Sequence, residues 1–350
     1  MLFNQHGSSV GYRVGLMCVT VGAVMMIYRS HITTYMRPTT LATGGIAVNE
    51  EMGMMGIQLS QTQSTDGRNT KSGSVEAANI ANYQDAEANG VQYRNLNINM
   101  TAPSRQLWPN DTQCDRLTVR PGQGITKTWL LSFPRSGNTW TRYLIEAATG
   151  VSTTSVYHDK LLVRLGFQGE REDIDTGTTL LQKTHDTRWI RNPTDPVILL
   201  VRDPSRAIIS FWSWTQLNGR PDQYNTSIPA ERYKTPGFHL FVWARTLEWS
   251  RMISKAVEKY ENLTTLYYED LVRNPLKEVR RLLHFLRVKP DEERLECVAR
   301  HLEGPFKGAK KILDPYSVFE KKILKSAVVS SSQSLERSGY TPLPVMFYGV

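Results

Sequence analysis

Thr128-Trp-Leu-Leu-Ser-Phe-Pro-Arg-Ser-Gly-Asn-Thr-Trp-Thr-Arg-Tyr-Leu-Ile-Glu146 passes from an apolar run into a helical pattern through Pro134-Arg-Ser-Gly-Asn-Thr139. Lys127–Phe133 reads as a buried strand and Asn138–Ala148 as a helix. A turn of small residues at a helix N-terminus aims free backbone N–H groups and the positive dipole end at one point, which makes an anion site. Gly137 lets the backbone approach a ligand, Ser136, Asn138 and Thr139 add donors, and Arg135 supplies a permanent charge. Ser132 stands where the first glycine of a nucleoside-triphosphatase loop would be, and no Gly-Lys-[Ser/Thr] follows. That excludes the ordinary phosphate loop with its lysine and magnesium-binding hydroxyl.

Outward from this loop, the strand–helix alternation repeats. Val197–Val201 and Thr264–Tyr268 read as buried strands, each leading into a helix, Pro204–Leu217 and Pro275–Leu286. Asp203-Pro204 and Asn274-Pro275 are each an N-cap followed by proline at the first helical position. Such alternation predicts an α/β domain around a parallel sheet, running from near Ile125 to the C-terminus. Arg202 falls at the carboxyl end of a strand, where parallel sheets bind ligands, and Ser210 lies two turns into the next helix on the cap face. Either the pair grips a second phosphate, or this is an ordinary strand end. Between the two elements, Leu180-Leu-Gln-Lys-Thr-His-Asp186 reads as a strand end presenting Lys183 and His185 to one side, and histidine is the usual proton acceptor near neutral pH.

The N-terminal third reads differently. Val14–Tyr28 is uncharged and mostly apolar, bracketed by Arg13 and Arg29. At about 22 Å as a helix it is a short span, and short spans suit thin early secretory membranes. No small-residue cleavage site follows, so a signal-anchor is expected rather than a removed signal peptide. Asn99, Asn110, Asn225 and Asn262 each open an N-x-[Ser/Thr] sequon, which favours a lumenal body. From about Thr39 to Arg120 the chain is rich in Gly, Asn, Gln, Ser, Thr and Met without helix or strand period, as in a flexible stem.

Of the 350 residues, 40% are apolar and 21% charged, which excludes a wholly disordered chain. Residues 1–120 hold 9 basic and 8 acidic side chains, while residues 121–350 hold 33 and 25. The excess of positive charge sits on the foldable part and suits an anionic ligand. No run of five or six basic residues occurs, so a nucleic-acid tail is not expected. Three cysteines exclude a four-cysteine metal site, and no metal is expected. Cys18 lies in the apolar stretch, and Cys114 and Cys297 are either a disulfide or two buried thiols.

Together these pieces resemble the sulfotransferase superfamily. Pro134-Arg-Ser-Gly-Asn-Thr-Trp140 is similar to its 5′-phosphosulfate loop, and Val201-Arg-Asp-Pro-(x)5-Ser210 to its 3′-phosphate element. Lys183-Thr-His185 resembles the segment that holds the catalytic base, and Leu266-Tyr-Tyr-Glu-Asp-Leu271 the segment that touches adenine. The four motifs occur in the family's order, and the loop phrase looks most like that of the WSC-domain-containing sulfotransferases, which include sialate O-sulfotransferases. The Cys-rich WSC modules themselves are missing, and Phe306-Lys-Gly-Ala-Lys-Lys311 stands in place of an Arg-Lys-Gly phosphate segment.

The resemblance implies a P-loop-like three-layer sandwich with a central parallel sheet. It implies the donor 3′-phosphoadenosine-5′-phosphosulfate and an acceptor hydroxyl on a glycan or glycoprotein, sialic acid included. His185 would be the base, with Arg135 and Lys183 on the charge of the transferring group and Ser136, Gly137, Asn138 and Thr139 around the 5′-phosphate. Arg202, Ser210 and Lys307 would hold the 3′-phosphate, and Trp140 and Tyr268 the adenine. The expected organisation is a cytoplasmic tail 1–13, a signal-anchor 14–28, a flexible polar stem 29–120 and a sulfotransferase domain 121–350. That is a single-pass type II protein of the Golgi membrane.

Overall fold

The computed structural model describes residues 92–217, 228–304, 313–344 and 346–347. In chain order these form β1 (Arg105–Gln106), β2 (Thr118–Val119), β3 (Thr128–Ser132), α1 (Asn138–Thr149), β4 (Thr154–Ser155), α2 (Lys160–Arg164), β5 (Leu181–Thr184) and β6 (Val197–Val201). There follow α3 (Pro204–Gln216), α4 (Pro236–Lys259), β7 (Leu263–Tyr267), α5 (Tyr268–Arg273), α6 (Pro275–Phe285), α7 (Glu292–Arg300) and α8 (Val318–Arg337).

Five strands make one parallel sheet in the order β4-β5-β3-β6-β7. All five residues of β3, Thr-Trp-Leu-Leu-Ser, are buried, which is what covering both faces of a parallel strand demands. Alternate residues point to opposite layers. Trp129, Leu131, Val197, Leu199 and Val201 pack on one side with residues of α3, α4 and α8. Leu130, Leu181, Ile198, Leu200 and Leu266 pack on the other with residues of α1, α6 and α7. The predicted three-layer α/β arrangement is therefore present. The chain leaves β3 toward β4 and β5 on one side and later crosses to β6 and β7 on the other. The carboxyl end of β3 is thus a topological switch point, where open sheets place their ligands.

The helix starts behave as their sequences predict. The Asp203 carboxylate accepts the Ser205 N–H at 2.8 Å and the Asn274 side chain accepts the Lys277 N–H at 3.3 Å. Two long helices, α4 and α8, were not among the predicted elements. Their start signals are nonetheless in the sequence: Thr235-Pro236 opens α4, and Ser317 with Glu320 forms a capping box on α8. The two helices pack on each other and close one side of the sheet.

The stem prediction needs correction over residues 92–120. There the chain packs on the domain rather than leaving it: Trp108, Cys114 and Leu117 are buried in the core shared with α1, α6 and α7. The backbone is held as well, with β1 and β2 pairing antiparallel and the Arg94 N–H donating to the Arg287 carbonyl at 2.7 Å. The polar composition hid this, because a few aromatic and sulfur side chains do the anchoring. The expected boundary at residue 121 therefore falls inside a packed segment. The rest of the expected stem and the apolar stretch Val14–Tyr28 lie outside the described residues. Among the described residues, no helix is long and apolar enough to cross a membrane.

Cys114 and Cys297 form a disulfide that staples this N-terminal segment to α7 across 183 residues of sequence. A crosslink over so long a loop removes much entropy from the unfolded chain. Cys114→Ser with Cys297→Ser is expected to lower the unfolding free energy by about 3–5 kcal/mol. Denaturant unfolding with and without reductant measures it, and an unchanged midpoint would refute it.

Candidate active site

β3 ends at Ser132, and five residues carry the chain to α1. Two of them have left-handed backbones: Arg135 at φ 66° and Gly137 at φ 102°. Such a conformation is uncommon for arginine and is the kind of local strain that clusters at functional sites. Gly137 is required sterically too, because a Cβ there would lie 2.5 Å from the Tyr268 ring. Gly137 is also the N-cap of α1, and no side chain caps the first turn, which holds no acidic residue. The first N–H groups thus face the turn with the dipole's positive end behind them. Ser136 is fully buried with its Oγ unpartnered. The Asn138 side chain instead turns inward and donates to Ser132 Oγ at 3.3 Å. The Thr139 hydroxyl donates to Asn138 Oδ1 at 3.4 Å.

The end of β6 closes this loop from the other side of β3. An Arg202 Nη1–H donates to the Arg135 carbonyl at 2.9 Å, and the guanidinium lies 4.4 Å from the Tyr268 ring centroid. Arg202 Nε is buried without a partner. Arg135 Nε–H donates in turn to Ser210 Oγ on α3 at 3.2 Å. Arg135, Arg202, Ser210 and Tyr268, far apart in sequence, thus converge. Buried donors facing a bare helix terminus fit an anionic phosphate group, since a polar atom left unpaired in the interior is costly.

His185 sits beyond the end of β5, next to β3 in the sheet. Its Nδ1 lies 2.7 Å from the Ser132 carbonyl oxygen, which can only accept, so Nδ1 carries the proton and Nε2 keeps its lone pair. The Tyr157 hydroxyl accepts the His185 backbone N–H at 2.9 Å, and the two rings stack with centroids 5.5 Å apart. Lys183, two residues earlier, has its Nζ 4.7 Å from the centroid of the same Tyr157 ring. Burial, then the Lys183 charge, depresses the His185 pKa to about 3. Burial likewise lowers Lys183 to about 8, opposed mainly by Glu170. Both shifts come first from burial, and an arriving anion raises both pKa values.

Glu170 belongs to a buried network beneath Lys183. It accepts from Arg142 Nη1 at 2.5 Å, Ser155 Oγ at 2.7 Å and the Asp159 N–H at 2.9 Å. Ser155 is the β4 residue paired in register with Lys183. Arg142 is fully buried on α1 and also donates to Thr153 Oγ1 at 2.8 Å and the Thr153 carbonyl at 3.0 Å.

The sheet edge therefore gathers His185, Lys183, Arg135, Ser136, Gly137, Asn138, Thr139, Arg202, Ser210 and Tyr268. Trp140 is placed differently from a free base-stacking ring. It is 6% exposed, its indole N–H donates to the Leu302 carbonyl at 2.7 Å, and it meets Tyr268 edge-on at 5.9 Å. Tyr268 meanwhile lies between Arg202 and Gly137. Lys307 lies outside the described residues. Sequence reasoning passed over Tyr157 and Glu170, because no motif marks them and sheet pairing alone brings them to Lys183 and His185. Asp111, Cys114 and His301 also come together, but the Cys114 sulfur is committed to the disulfide. A groove of about 640 Å³ lined in part by Arg105, Trp108, Tyr143 and His301 is separate from the edge just described.

Comparison with known proteins bears on the domain as a whole. A family model described as a sulfotransferase domain matches residues 125–305. A WSCD family member of Drosophila pseudoobscura pseudoobscura is 37% identical over 201 residues, covering 54% of this chain and 60% of that protein. Sulfotransferase 2A1 of Rattus norvegicus is 24% identical over 209 residues, covering 54% of this chain and 67% of that protein. A mouse sulfotransferase solved in complex with PAP aligns at 12% identity and a TM-score of 0.41, covering 61% of this chain and 86% of its own. The chain spans about 60% of the length of the WSCD relatives it matches.

Proposed function

The chain belongs to the sulfotransferase family, and from that premise we propose that it is a Golgi sulfotransferase acting on a hydroxyl of a glycan, with sialic acid among the candidates. The donor is 3′-phosphoadenosine-5′-phosphosulfate. The single observation that carries this reading is the convergence of the bare α1 terminus, the buried unpartnered Ser136 Oγ and Arg202 Nε, and a histidine with a free Nε2.

The donor supplies an activated sulfuryl group, whose sulfur forms a bond to the acceptor oxygen as its bond to the phosphate oxygen breaks. His185 Nε2 takes the hydroxyl proton, held in the correct tautomer by the Ser132 carbonyl. Arg135 and the first N–H groups of α1 stabilise the negative charge gathering on the phosphate. Lys183 offers its ammonium to the sulfuryl oxygens. Arg202, with Ser210 behind Arg135, holds the second phosphate. Lys307 is proposed as a further contact to it.

We take an aromatic cluster on α3 as the acceptor surface. Phe211 lies 5.8 Å from Phe133 and 6.0 Å from Trp214, which is 40% exposed, and the Arg245 guanidinium lies 5.9 Å from Phe211. Aromatic faces beside a cation suit the apolar face of a sugar that carries an acidic group. The lumenal, membrane-anchored placement rests on Val14–Tyr28, the disulfide and the sequons, of which Asn110 and Asn262 are exposed.

The test is transfer of label from radiolabelled phosphosulfate to mixed sialylated and desialylated glycoproteins by the full-length chain. Labelled glycan carries the reading, and loss of label on desialylation narrows it to sialic acid. Nucleotide binding without transfer to any acceptor would sink it. Arg202→Ala provides a second check. The 3′-phosphate does not change charge during transfer, so removing its partner takes away mainly uniform binding. The donor KM is expected to rise by about tenfold or more, with a smaller fall in kcat that comes from the Arg135 carbonyl losing its tether. A collapse of kcat at unchanged KM would put Arg202 at the reacting centre instead.

A further inference from the structure

Three buried side-chain atoms without partners lie around the donor loop: Ser136 Oγ, Arg202 Nε and Glu269 Oε2. The first two can donate to an anion. The third has the wrong sign for one, unless it carries a proton.

Glu269 is the second residue of α5, directly after Tyr268. Its Oε1 accepts from the Asp203 N–H at 3.2 Å, and its own backbone N–H also acts on the carboxylate. Arg202 is close enough to act electrostatically but is turned elsewhere, with Nη1 on the Arg135 carbonyl and its face on Tyr268. The Asp203 carboxylate is committed to Ser205, at 2.8 Å to N–H and 2.7 Å to Oγ, and adds a like charge beside Glu269. The charged groups facing Glu269 are therefore Arg202 and Asp203, with Arg135 beyond Arg202. Two backbone donors, both on one side of the group and leaving Oε2 bare, are thin compensation for burying a carboxylate next to another carboxylate.

We propose that Glu269 is a donor-site residue that works as a neutral carboxylic acid, so that binding of the 3′,5′-bisphosphate nucleotide takes up a proton there. This rests on the assignment of Arg202 to a donor phosphate. An ionised Glu269 would set a negative charge against the same guanidinium that grips the phosphate. Protonation removes the repulsion and leaves Arg202 to the ligand. Burial, opposed by the Asp203 N–H, already raises the Glu269 pKa to about 7, which poises the group to gain its proton on binding. The sign follows: above pH 7 the free protein must acquire a proton before it binds well, and donor affinity falls as pH rises.

Titration calorimetry of adenosine 3′,5′-bisphosphate into the full-length chain, in buffers of different ionisation enthalpy, measures that proton. At pH 8 the wild type is expected to take up about 0.9 proton more than Glu269→Gln. The variant is expected to bind about tenfold tighter than wild type at pH 8 and equally at pH 6. Comparing the two proteins cancels the proton that Lys183 gains in both. A second measurement needs no variant: infrared difference spectra of the wild type at pH 8 should gain a protonated-carboxyl C=O band when the nucleotide is added. Equal proton uptake in both proteins, or no such band, would overturn the inference while leaving the donor assignment intact. Failure of either protein to bind the nucleotide would overturn that assignment and this inference with it.

Discussion

Replacing His185 by asparagine is expected to lower kcat by at least about 10²-fold while adenosine 3′,5′-bisphosphate still binds with near-normal affinity. Asparagine can keep donating to the Ser132 carbonyl, 2.7 Å from the present Nδ1, so the sheet edge should hold its shape. What it lacks is the basic lone pair of Nε2, and a positioned base typically contributes ~10²–10⁴-fold. The pH profile carries the same signature. Without ligand His185 is held near 3, by burial first and the Lys183 charge second, so it is already neutral and competent at pH 7. An anionic donor raises that value toward the ordinary one, so kcat should fall on the acid side below about pH 6. On the alkaline side kcat/KM for the donor should begin to fall above about pH 7, where Glu269 ionises, and fall more steeply above about pH 8, where the Lys183 ammonium is lost. Near-wild-type turnover by the asparagine variant would assign the base to another group.

Arg142→Ala should cost the domain about 3–5 kcal/mol, the typical loss when one partner of a buried ion pair is removed. Arg142 and Glu170 are both fully buried, and the alanine variant leaves the Glu170 carboxylate with Ser155, the Asp159 N–H and the more distant Lys183 charge to compensate it. For a domain of this size the melting temperature should drop by roughly 6–15 °C. Arg142→Met combined with Glu170→Gln should recover much of the loss, because the uncompensated charge is then gone. A single-variant effect under about 1 kcal/mol would mean that solvent reaches the site and screens the charge.

The elements legible from the amino-acid order were those whose cause is local. The run Thr128–Ser132 is apolar on both faces and therefore a central parallel strand, and Gly137 followed by a helical pattern makes the anion turn. Asp203-Pro204 and Asn274-Pro275 start helices because cap and proline act within one turn. Arg202, Lys183 and His185 could be placed at strand ends, Arg135 in the anion turn and Ser210 on the following helix for the same reason. Long-range placement was not legible. The His185 tautomer depends on the Ser132 carbonyl 53 residues away in sequence, which only the pairing of β3 with β5 brings within reach. Glu170 reaches Lys183 through Ser155, because β4 adds to the sheet edge in one register and not another. Trp140 reads as an adenine contact, and only the tertiary structure shows its indole N–H taken up by the Leu302 carbonyl. Residues 92–120 looked like stem because their composition is polar, yet Trp108 and Cys114 find a core made by α1 and α7. Local sequence sets backbone preference and the chemistry each residue can offer. Which residues meet depends on strand order and register, and those are settled by burying both faces of the sheet at once.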